Sequence, residues 1–504
     1  MMPTFLKSWD ALNGQMHFNV KEGEFGVKSV KKPIRTILSS TIVALMAVGV
    51  AEAGSFSLYT ESSAVALGNF AAGVAAEASD ASTGWYNPAG LALIHNQQVV
   101  MSGAGVFPSS KMSGTSTYSS PLPTPPFPAG SRTSNVESFS DVNGSKKDAF
   151  VPAFHYAHPL GDNATFGFSM VSPFGLTTNW ETYGPVRYSA TKSELLTFNA
   201  APELGAKITE NFALGAGLDL QYAKVKFNSV IGSPALLQFA GLAPTLYDSA
   251  VTNQGHSFGI GFHAGAMFML NENHTRLGLN YQSRMNHKFN GDSSLNGRLA
   301  QGASPASSPD AYFWSDHLSS DNVTLPEVVT LSGYHDINEQ LALLGSVVYT
   351  GWSSLPTIPL NNVAAFNSTL NRQVLVNSSS TLDYRNAWRA SAGANYKINT
   401  AWMLRLGGGY DQTPVTDEHR DVRIPDEDKW ALSAGAHYQA RPNMGFDIGY
   451  THLCTVRDPQ INNTQALSTS TYNVNATAKA RVDLVGIQMT WLMDDFTPPV
   501  AMTK

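Results

Sequence analysis

The residue types that most often carry catalysis are present in this chain, but their spacing forms no catalytic motif. Thirteen histidines and many serines allow chance pairings, yet no serine lies in a nucleophile motif. Cys454 is the single cysteine, which excludes an internal disulfide and a thiolate metal cluster. Asp426 and Asp428 fit a polar turn, and Gly-Ala-Gly at 215–217 fits strand packing rather than a nucleotide-binding loop. The sequence therefore predicts no enzyme, no metal site and no cofactor.

A more specific chemical signal is apolar surface in a segment that is otherwise polar. The segment 230–254 carries large apolar residues at spacings of about three to four, which predicts a short amphipathic helix. Exposed apolar surface usually marks a binding patch. The alternative is that these side chains pack against one another within the loop. The residues concerned are Leu236, Leu237, Phe239, Leu242, Leu246 and Tyr247.

The composition indicates what kind of scaffold carries this segment. Among 504 residues, 14% are charged, 10% are aromatic and 42 are glycine, and the mean hydropathy is -0.13. After residue 60 no run approaches the roughly 20 apolar residues of a membrane-spanning helix. Low charge with many aromatics is typical of a transmembrane β-barrel, in which only alternate residues face lipid. On composition alone a soluble all-β protein remains an alternative. The net charge of -6 gives no basic footprint for nucleic acid.

The N-terminal region has the pattern of a secretory signal. Basic residues at 28–35 precede an apolar run at 37–50, which is followed by a small-x-small site ending at Ala53. We expect residues 1–53 to form the signal region, with 1–26 as a misassigned start and cleavage after Ala53. The alternative, a membrane anchor or buried helix, is disfavoured because the run is short for a span.

The stretch that follows, 54–96, predicts a compact plug. It is rich in Ala and Gly, with Phe56 near its start and Asn87, Pro88 and Ala89 near its end. Its Gly, Ser and Asp residues interrupt any long helix, and its Ala content disfavours strand. We therefore expect short helices and turns that fill the inside of a larger element.

The rest of the chain alternates between apolar and polar residues, as strands with two different faces do. In one example, Trp402, Leu404 and Leu406 share one face, while Arg405 and Asp411 share the other. This pattern predicts an all-β membrane protein, an antiparallel barrel of about 14 strands within 97–491, with a C-terminal tail at 492–504. The expected strands are 98–107, 148–159, 164–172, 193–208, 212–229, 255–270, 274–289, 323–337, 340–355, 382–398, 402–411, 429–439, 444–451 and 477–491.

The connections between the expected strands alternate in length. Turns such as 161–163, 209–211 and 271–273 are short, whereas others form long polar loops. This asymmetry is typical of outer-membrane barrels, with short turns on the periplasmic side and long loops outside. It predicts a location in the outer membrane of a Gram-negative bacterium, with contacts to outer-membrane lipids and to the barrel-assembly machinery. We expect a monomer. The long loops are 108–147, 230–254, 290–322, 356–381 and 458–476.

Several short motifs occur in a fixed order along this pattern. They are Asn87-Pro88-Ala89, Ser172-Pro173-Phe174-Gly175-Leu176, Leu325-Pro326-Glu327, Ser332-Gly333-Tyr334, Tyr349-Thr350-Gly351-Trp352-Ser353 and Arg423-Ile424-Pro425-Asp426. In these motifs and their order the chain resembles the long-chain fatty acid transporters of Gram-negative outer membranes (the FadL/TodX-like proteins). Relatives in that family also take up aromatic hydrocarbons.

The resemblance implies a fold and a route. The fold is a 14-stranded barrel with an N-terminal hatch of short helices. Ligand would meet an apolar groove among the long loops, pass to a pocket above the hatch, and leave sideways where the third strand is kinked. The kink would fall at Ser172, Pro173, Phe174 and Gly175. Pro173 lacks a backbone donor, which favours a broken ladder, although these residues could simply end a strand.

The resemblance also implies a basic residue for the ligand carboxylate. Lys224 lies where the family carries one, but by strand parity it shares the outward face of Tyr222, so a bulge must turn it inward. The family's second basic contact has no match, because 354–366 contains neither Lys nor Arg. Either Arg372 substitutes, or the ligand is less acidic than a fatty acid.

The function expected on these grounds is passive uptake of a hydrophobic small molecule, foremost a long-chain fatty acid. The first alternative is uptake of neutral or aromatic hydrocarbons, which the missing second cation favours. A general porin is disfavoured because it needs an open lumen. An outer-membrane lipase is disfavoured because it needs a nucleophile motif.

Overall fold

The structure, a computed structural model, describes residues 57–144, 148–301 and 310–493. The predicted signal region 1–53, Phe56 and the tail beyond 493 lie outside these residues. No helix within the described ranges is long and apolar enough to cross a membrane.

Within the described residues, 14 antiparallel strand positions close into a barrel, which confirms the predicted fold class. Further strands extend the loops, and some wall strands are interrupted, so the wall follows the order β1, β3, β4, β6, β7, β8, β9, β14, β15, β18, β19, β20, β21 and β23. The strand bounds are β1 Gln98–Pro121, β2 Arg132–Asn143, β3 Ala149–Pro159, β4 Ala164–Val171, β5 Gly175–Asn179, β6 Lys192–Thr209, β7 Phe212–Ile231, β8 Ser249–Leu270, β9 Thr275–Gln282, β10 Met285–His287, β11 Asn290–Gly297, β12 Tyr312–Ser320, β13 Val323–Leu325, β14 Val328–Asp336, β15 Leu341–Thr350, β16 Thr357–Asn367, β17 Arg372–Thr381, β18 Ala387–Lys397, β19 Trp402–Asp411, β20 Lys429–Arg441, β21 Met444–Thr455, β22 Gln460–Leu467 and β23 Ser470–Leu492.

Alternation along the strands separates a lipid-compatible outside from a polar inside. Trp430 and Leu432 on β20 are exposed, whereas Ser433, the residue directly after Leu432, is buried. Arg405 on β19 points inward and donates to Asp447 Oδ1 at 2.6 Å. Outward apolar side chains are favourable only against lipid, and paired inward charges are favourable only away from it. This is the two-faced pattern that the sequence predicts.

The predicted long loops are largely strand, which corrects the sequence reading. The region 108–147 holds the upper part of β1 and all of β2, and similar hairpins occupy 290–322, 356–381 and 458–476. β1 pairs with β23 without interruption from Gln98 to Ser119. These extensions leave the lipid band, so neither face requires apolar residues and the hydropathy alternation disappears. Their many Ser, Thr and Asn residues then look like a loop in the sequence, although hydrogen-bonded strand pairing continues.

Short helices occupy the Ala- and Gly-rich N-terminal stretch: α1 Ala64–Gly68, α2 Thr83–Tyr86 and a 3₁₀ helix Pro88–Leu93. Ser63 caps α1 by accepting from Val65 N at 3.2 Å. After α1 the chain turns sharply, because Phe70 and Ala71 have φ values of 56° and 57°. α1 packs against β20, β21 and β23, and the 3₁₀ helix packs against β6, β7 and β8. We refer to residues 57–97 as the hatch segment.

The hatch segment touches the wall at glycines. A Cβ on Gly449 would lie 2.4 Å from the Ala64 carbonyl oxygen, and a Cβ on Gly215 would lie 2.2 Å from the Pro88 carbonyl carbon. Any side chain at these two positions would collide with backbone. At these two positions the wall therefore contacts the backbone of the segment directly.

Candidate functional site

A cavity of about 920 Å³ lies at the long-loop end of the barrel, within the size range of small-molecule sites. Its walls come from β6, β7, β8 and the β16–β17 hairpin, with Tyr247 and the helix α3 Pro234–Phe239 contributing from the 230–254 segment. Apolar side chains form much of the lining, including Leu195, Val225, Phe227, Phe289, Leu325 and Leu382.

The amphipathic helix expected in 230–254 is present as α3. Leu237 is buried and lines the cavity together with Leu236 and Tyr247. Phe239 and Leu242 are exposed, and the Phe239 ring meets Phe127 edge-on at 5.4 Å. Leu246 is half-buried and lies outside the cavity lining. The predicted patch therefore divides into residues that enter the cavity and residues that remain on the outer surface.

The third wall strand is interrupted where the sequence expects a kink. β4 ends at Val171 opposite Asn199 of β6, and β5 resumes at Gly175 opposite Leu196. On its other side β4 pairs with β3 only as far as Met170 opposite Phe154. Ser172, Pro173 and Phe174 thus interrupt the ladder.

The hatch segment occupies this interruption. Leu58 N donates to the Pro173 carbonyl at 2.9 Å, and Ser57 forms an isolated antiparallel bridge with Phe174. Thr197 Oγ1 accepts from Phe174 N at 2.9 Å, which satisfies a backbone donor at the break. The missing wall ladder is therefore partly replaced by a contact from inside the barrel.

One apolar cluster connects the break with the cavity. Phe174 packs edge-on against Trp352 at 5.9 Å between ring centroids. The same buried cluster includes Leu176, Leu195 and Val225, which also line the cavity. Apolar surface is therefore continuous from the cavity floor to the interrupted strand.

The two cations predicted to bind a carboxylate lie away from the cavity. β7 keeps its register with β6 and β8 through Lys224, opposite Leu196 and His256, so the bulge that would turn Lys224 inward does not form. Ala223 and Val225 face inward instead, and Lys224 shares the outward face. Arg372 is exposed on β17 opposite Asn367. Neither cation is among the residues that line the cavity.

Arg423 is the cation that lines the cavity among the described residues, and site reasoning from the sequence missed it. Its guanidinium donates to Asp421 Oδ2 at 2.8 Å and to the Ser189 carbonyl. Arg423 belongs to one of the family-like motifs, but nothing local to it indicates a cavity position. The barrel brings it beside Ser189, which lies 234 positions earlier in the chain.

Among the described residues, two buried polar side-chain atoms at the cavity wall have no hydrogen-bond partner. They are Oγ of Ser193, which is fully buried, and Oδ1 of Asn228. A buried polar atom without a partner is unfavourable until a ligand group or water satisfies it. These atoms can therefore bond the polar end of a ligand whose body fills the apolar cavity. No sequence signal distinguishes them from other polar strand residues.

Asn87 joins the hatch segment to itself and to the wall. Its Nδ2 donates to the Ala75 carbonyl at 2.7 Å and to the Ala266 carbonyl of β8 at 3.1 Å. Its Oδ1 accepts from Ala89 N, which caps the 3₁₀ helix that begins at Pro88. The motif Asn87-Pro88-Ala89 thus fixes the end of the segment against the barrel interior.

Two buried carboxyls in the hatch segment lie in an environment that disfavours charge. Burial raises the pKa of Glu61, with Arg389 acting in the opposite direction. Burial likewise raises the pKa of Glu77, while Arg405 and a hydrogen bond from Asn395 at 2.8 Å act to lower it. No group of three or more metal-ligating side chains is found among the described residues.

Sequence comparison assigns these features to a known group. A family model described as "Outer membrane protein transport protein (OMPP1/FadL/TodX)" matches residues 44–492. The chain is similar to outer membrane protein P1 of Haemophilus influenzae, with 28% identity over 492 residues, covering 92% of this chain and 100% of the relative. It is also similar to the long-chain fatty acid transport protein of Salmonella typhi, with 26% identity over 402 residues, covering 78% and 86%.

Solved structures share the fold. A Pseudomonas aeruginosa FadL homologue superposes with a TM-score of 0.72 at 22% identity, covering 88% of this chain and 100% of that one. The Ralstonia pickettii toluene transporter TbuX superposes with a TM-score of 0.57 at 17% identity, covering 86% and 99%.

Proposed function

The chain belongs to the outer membrane protein transport family (OMPP1/FadL/TodX), and from this membership we propose that it takes up long-chain fatty acids passively across the outer membrane. Proteins of this family carry hydrophobic compounds, and relatives of this chain are named as transport proteins. The observation that carries the proposal is the apolar cavity whose lining continues into the cluster around the interrupted strand.

The proposed route has three stages. Lipophile first contacts the exposed side chains of α3 and its flank, Phe239 and Leu242. It then enters the cavity past Leu237, where apolar burial supplies the binding free energy at roughly 25 cal/mol per Å². It leaves sideways into the membrane at Ser172–Gly175, after the contact of Leu58 with Pro173 opens.

A second candidate cargo is a neutral or aromatic hydrocarbon. The charge distribution favours it, because Arg423 at the cavity already has Asp421 as its partner and Lys224 faces outward. A carboxylate entering the cavity would have to displace Asp421 or remain protonated. A hydrocarbon needs neither.

Equilibrium binding to the purified protein in detergent tests both cargoes. We would measure a radiolabelled long-chain fatty acid and a hydrocarbon of similar length with the wild type, Val225→Trp and Leu220→Trp. Val225 faces the cavity, whereas Leu220 lies outward on the same strand and is the matched control. Saturable fatty acid binding that only Val225→Trp abolishes is the expected result.

Saturable binding of the hydrocarbon but not of the fatty acid would support the second cargo. Loss of binding in both variants, or saturable binding of neither compound, would contradict the proposed site. We expect Lys224→Ala to leave the affinity for both compounds unchanged, because the Lys224 side chain lies outside the cavity. Arg423→Gln should lower the affinity for the fatty acid alone.

A further inference from the structure

The barrel wall is interrupted at a second place, between β8 and the strand that follows it. β9 pairs with β8 as far as Gln282 opposite His263, and β11 resumes the ladder at Asn290 opposite His256. Between these points β10 pairs with β13 instead. Residues 257–262 of β8 therefore have no strand partner on that side within the described chain.

The interruption forms a notch on the outer surface rather than a second entrance to the lumen. Met285 and His287 of β10 are buried and lie directly inside Gly259, so they close the inner side. Outside them is an open space of about 510 Å³, lined by His256, Ser257, Phe258, Asn286, Lys288, Asn290 and Asn322. Phe258 is 76% exposed and Ile260 is 72% exposed. The notch thus combines apolar and polar groups on the membrane-facing side.

Basic side chains surround the upper part of the notch. Lys288 lines it and is exposed, and Lys224 lies directly opposite His256 on the neighbouring strand. Lys226 lies two residues further on the same outward face. Lys288 lies on the other side of β8, where its backbone N donates to Ser257 Oγ. Two strand spacings of about 4.8 Å separate it from β7 by roughly 10 Å, a distance that long lysine side chains on both sides can bridge to one small anion.

Nearby acids do not neutralise these lysines. Glu194, which lies opposite Lys226 on β6, forms its ion pair with Lys192, and Asp292 accepts from Gln254 Nε2 at 2.8 Å. In the described part of the chain, no ion pair involves Lys224, Lys226 or Lys288. An unneutralised basic group on a membrane-facing surface attracts anionic lipid head groups.

Aromatic contacts fix the height of the notch relative to the membrane. The Tyr222 ring lies 5.1 Å from Phe258 and 6.4 Å from His256, forming part of an outward aromatic belt. Such belts mark the interface between acyl chains and head groups. The lysines extend from this level toward the long loops, where the head groups of the outer leaflet would lie.

We propose that this surface binds a phosphate-bearing glycolipid of the outer leaflet, with the phosphate between Lys224, Lys226 and Lys288. Acyl chain packs over Phe258 and Ile260 in the notch, and the asparagine amides bond the head group. The lysine that the sequence predicts for a cargo carboxylate thus binds an anion on the opposite side of the wall.

Native mass spectrometry of the full chain in detergent tests the proposal, using lipid A and its dephosphorylated form as probes. We would compare the wild type with K224Q/K226Q/K288Q and with the control Lys397→Gln, an exposed lysine at the short-turn end. At about fivefold per surface lysine, the triple variant should bind lipid A on the order of a hundredfold more weakly. The control should match the wild type.

The proposal is overturned if dephosphorylated lipid A binds the wild type as tightly as lipid A, or if Lys397→Gln causes the same loss as the triple variant. Displacement of lipid A by millimolar inorganic phosphate would also overturn it, because the acyl chain would then contribute nothing. Single Lys→Gln variants serve if the triple variant fails to fold. Fatty acid binding by the triple variant is measured in parallel and should be unchanged, so failure here is distinguishable from failure of the transport proposal.

Discussion

Ser193 illustrates how a single atom can set selectivity in an apolar cavity. Its hydroxyl is fully buried and has no partner, so it already carries part of the cost of losing water. A ligand with a hydroxyl or carboxyl end recovers that cost, whereas a hydrocarbon does not. With Asn228 Oδ1, the Ser193 hydroxyl therefore distinguishes a polar-ended lipophile from a wholly apolar one.

Ser193→Ala should lower the binding affinity for a long-chain alcohol or acid by about fivefold, which corresponds to the loss of one hydrogen bond worth ~1 kcal/mol. Hydrocarbon affinity should not fall. Ser391→Ala is the control, because Ser391 Oγ is also buried without a partner but lies away from the cavity. Competition binding measures the affinities of both variants. An equal loss of affinity for the alcohol and the hydrocarbon in Ser193→Ala would rule out a role for the Ser193 hydroxyl.

Glu77 should make the hatch segment more stable in acid than in base. A carboxyl with a raised pKa binds its proton more tightly in the folded protein than in the unfolded chain. That stabilisation is complete below the ordinary pKa of 4.5 and is lost as the pH rises through the folded value. Hydrogen exchange of amides 57–97, corrected for intrinsic rates, should therefore accelerate with rising pH.

Glu77→Gln should reduce this pH dependence, because glutamine remains neutral, and Glu61 should account for what is left. Glu210→Gln, at an exposed short turn beside Lys207, should leave it intact. A wild-type profile that is slowest at high pH would show that Arg405 dominates over burial at this site.

At the scale of elements, the hatch segment approaches the wall most closely where the wall residue is glycine and has no side chain. Gly449 and Gly215 admit backbone at distances that a Cβ would prevent. The segment also covers the interrupted third strand through Leu58 and Ser57. One segment therefore both fills the lumen and bonds to the proposed exit.

Gly449→Ala should destabilise the folded barrel by about 1–3 kcal/mol through overpacking against Ala64. Gly333→Ala is the matched control, because the nearest heavy atom to its added Cβ would be 3.7 Å away. Denaturant unfolding in detergent measures the difference. Equal midpoints for the two variants would mean that the hatch segment shifts to accommodate the methyl group.

A disulfide across the break should block uptake reversibly. Ser57→Cys with Phe174→Cys, in a Cys454→Ser background, joins two residues that already form a bridge. Cells oxidised after induction should accumulate labelled fatty acid more slowly and recover with reductant. The control is Leu404→Cys with Ala436→Cys, which joins two opposed residues of the β19–β20 ladder. Oxidation should leave uptake by this control variant unchanged. Undiminished uptake by the oxidised first pair would exclude exit at this break.

At the scale of the whole molecule, sequence reasoning succeeded wherever lipid imposed a pattern. Alternation located the wall strands, including β19 and β20, because one face must be apolar in the membrane. It missed hairpins such as β16–β17, which stand in water and follow no hydropathy rule. It also missed Arg423 in the cavity, because closure of the barrel decides which distant residues meet. Strand parity placed Lys224 on the outward face correctly, and only the bulge expected to turn it inward was wrong.

Removal of residues 57–97 should convert the barrel into an ion-conducting pore. The buried segment fills the lumen below the cavity, and inward residues such as Arg405 and Asp447 would then face water. In planar lipid bilayers the deletion variant should show stable conductance steps, whereas the wild type should not. A folded deletion variant without conductance would mean that other residues obstruct the lumen.

The seam between β1 and β23 has a consequence for how the protein is made. Its ladder runs from Gln98 opposite Leu492 to Ser119 opposite Thr471, so the first and last wall strands depend on each other over a long stretch of hydrogen bonds. Until β23 is in place, β1 is an open edge, and open edges recruit other strands. A nascent or truncated copy has no way to shield that edge by itself. The barrel therefore cannot close before β23 is available to pair with β1.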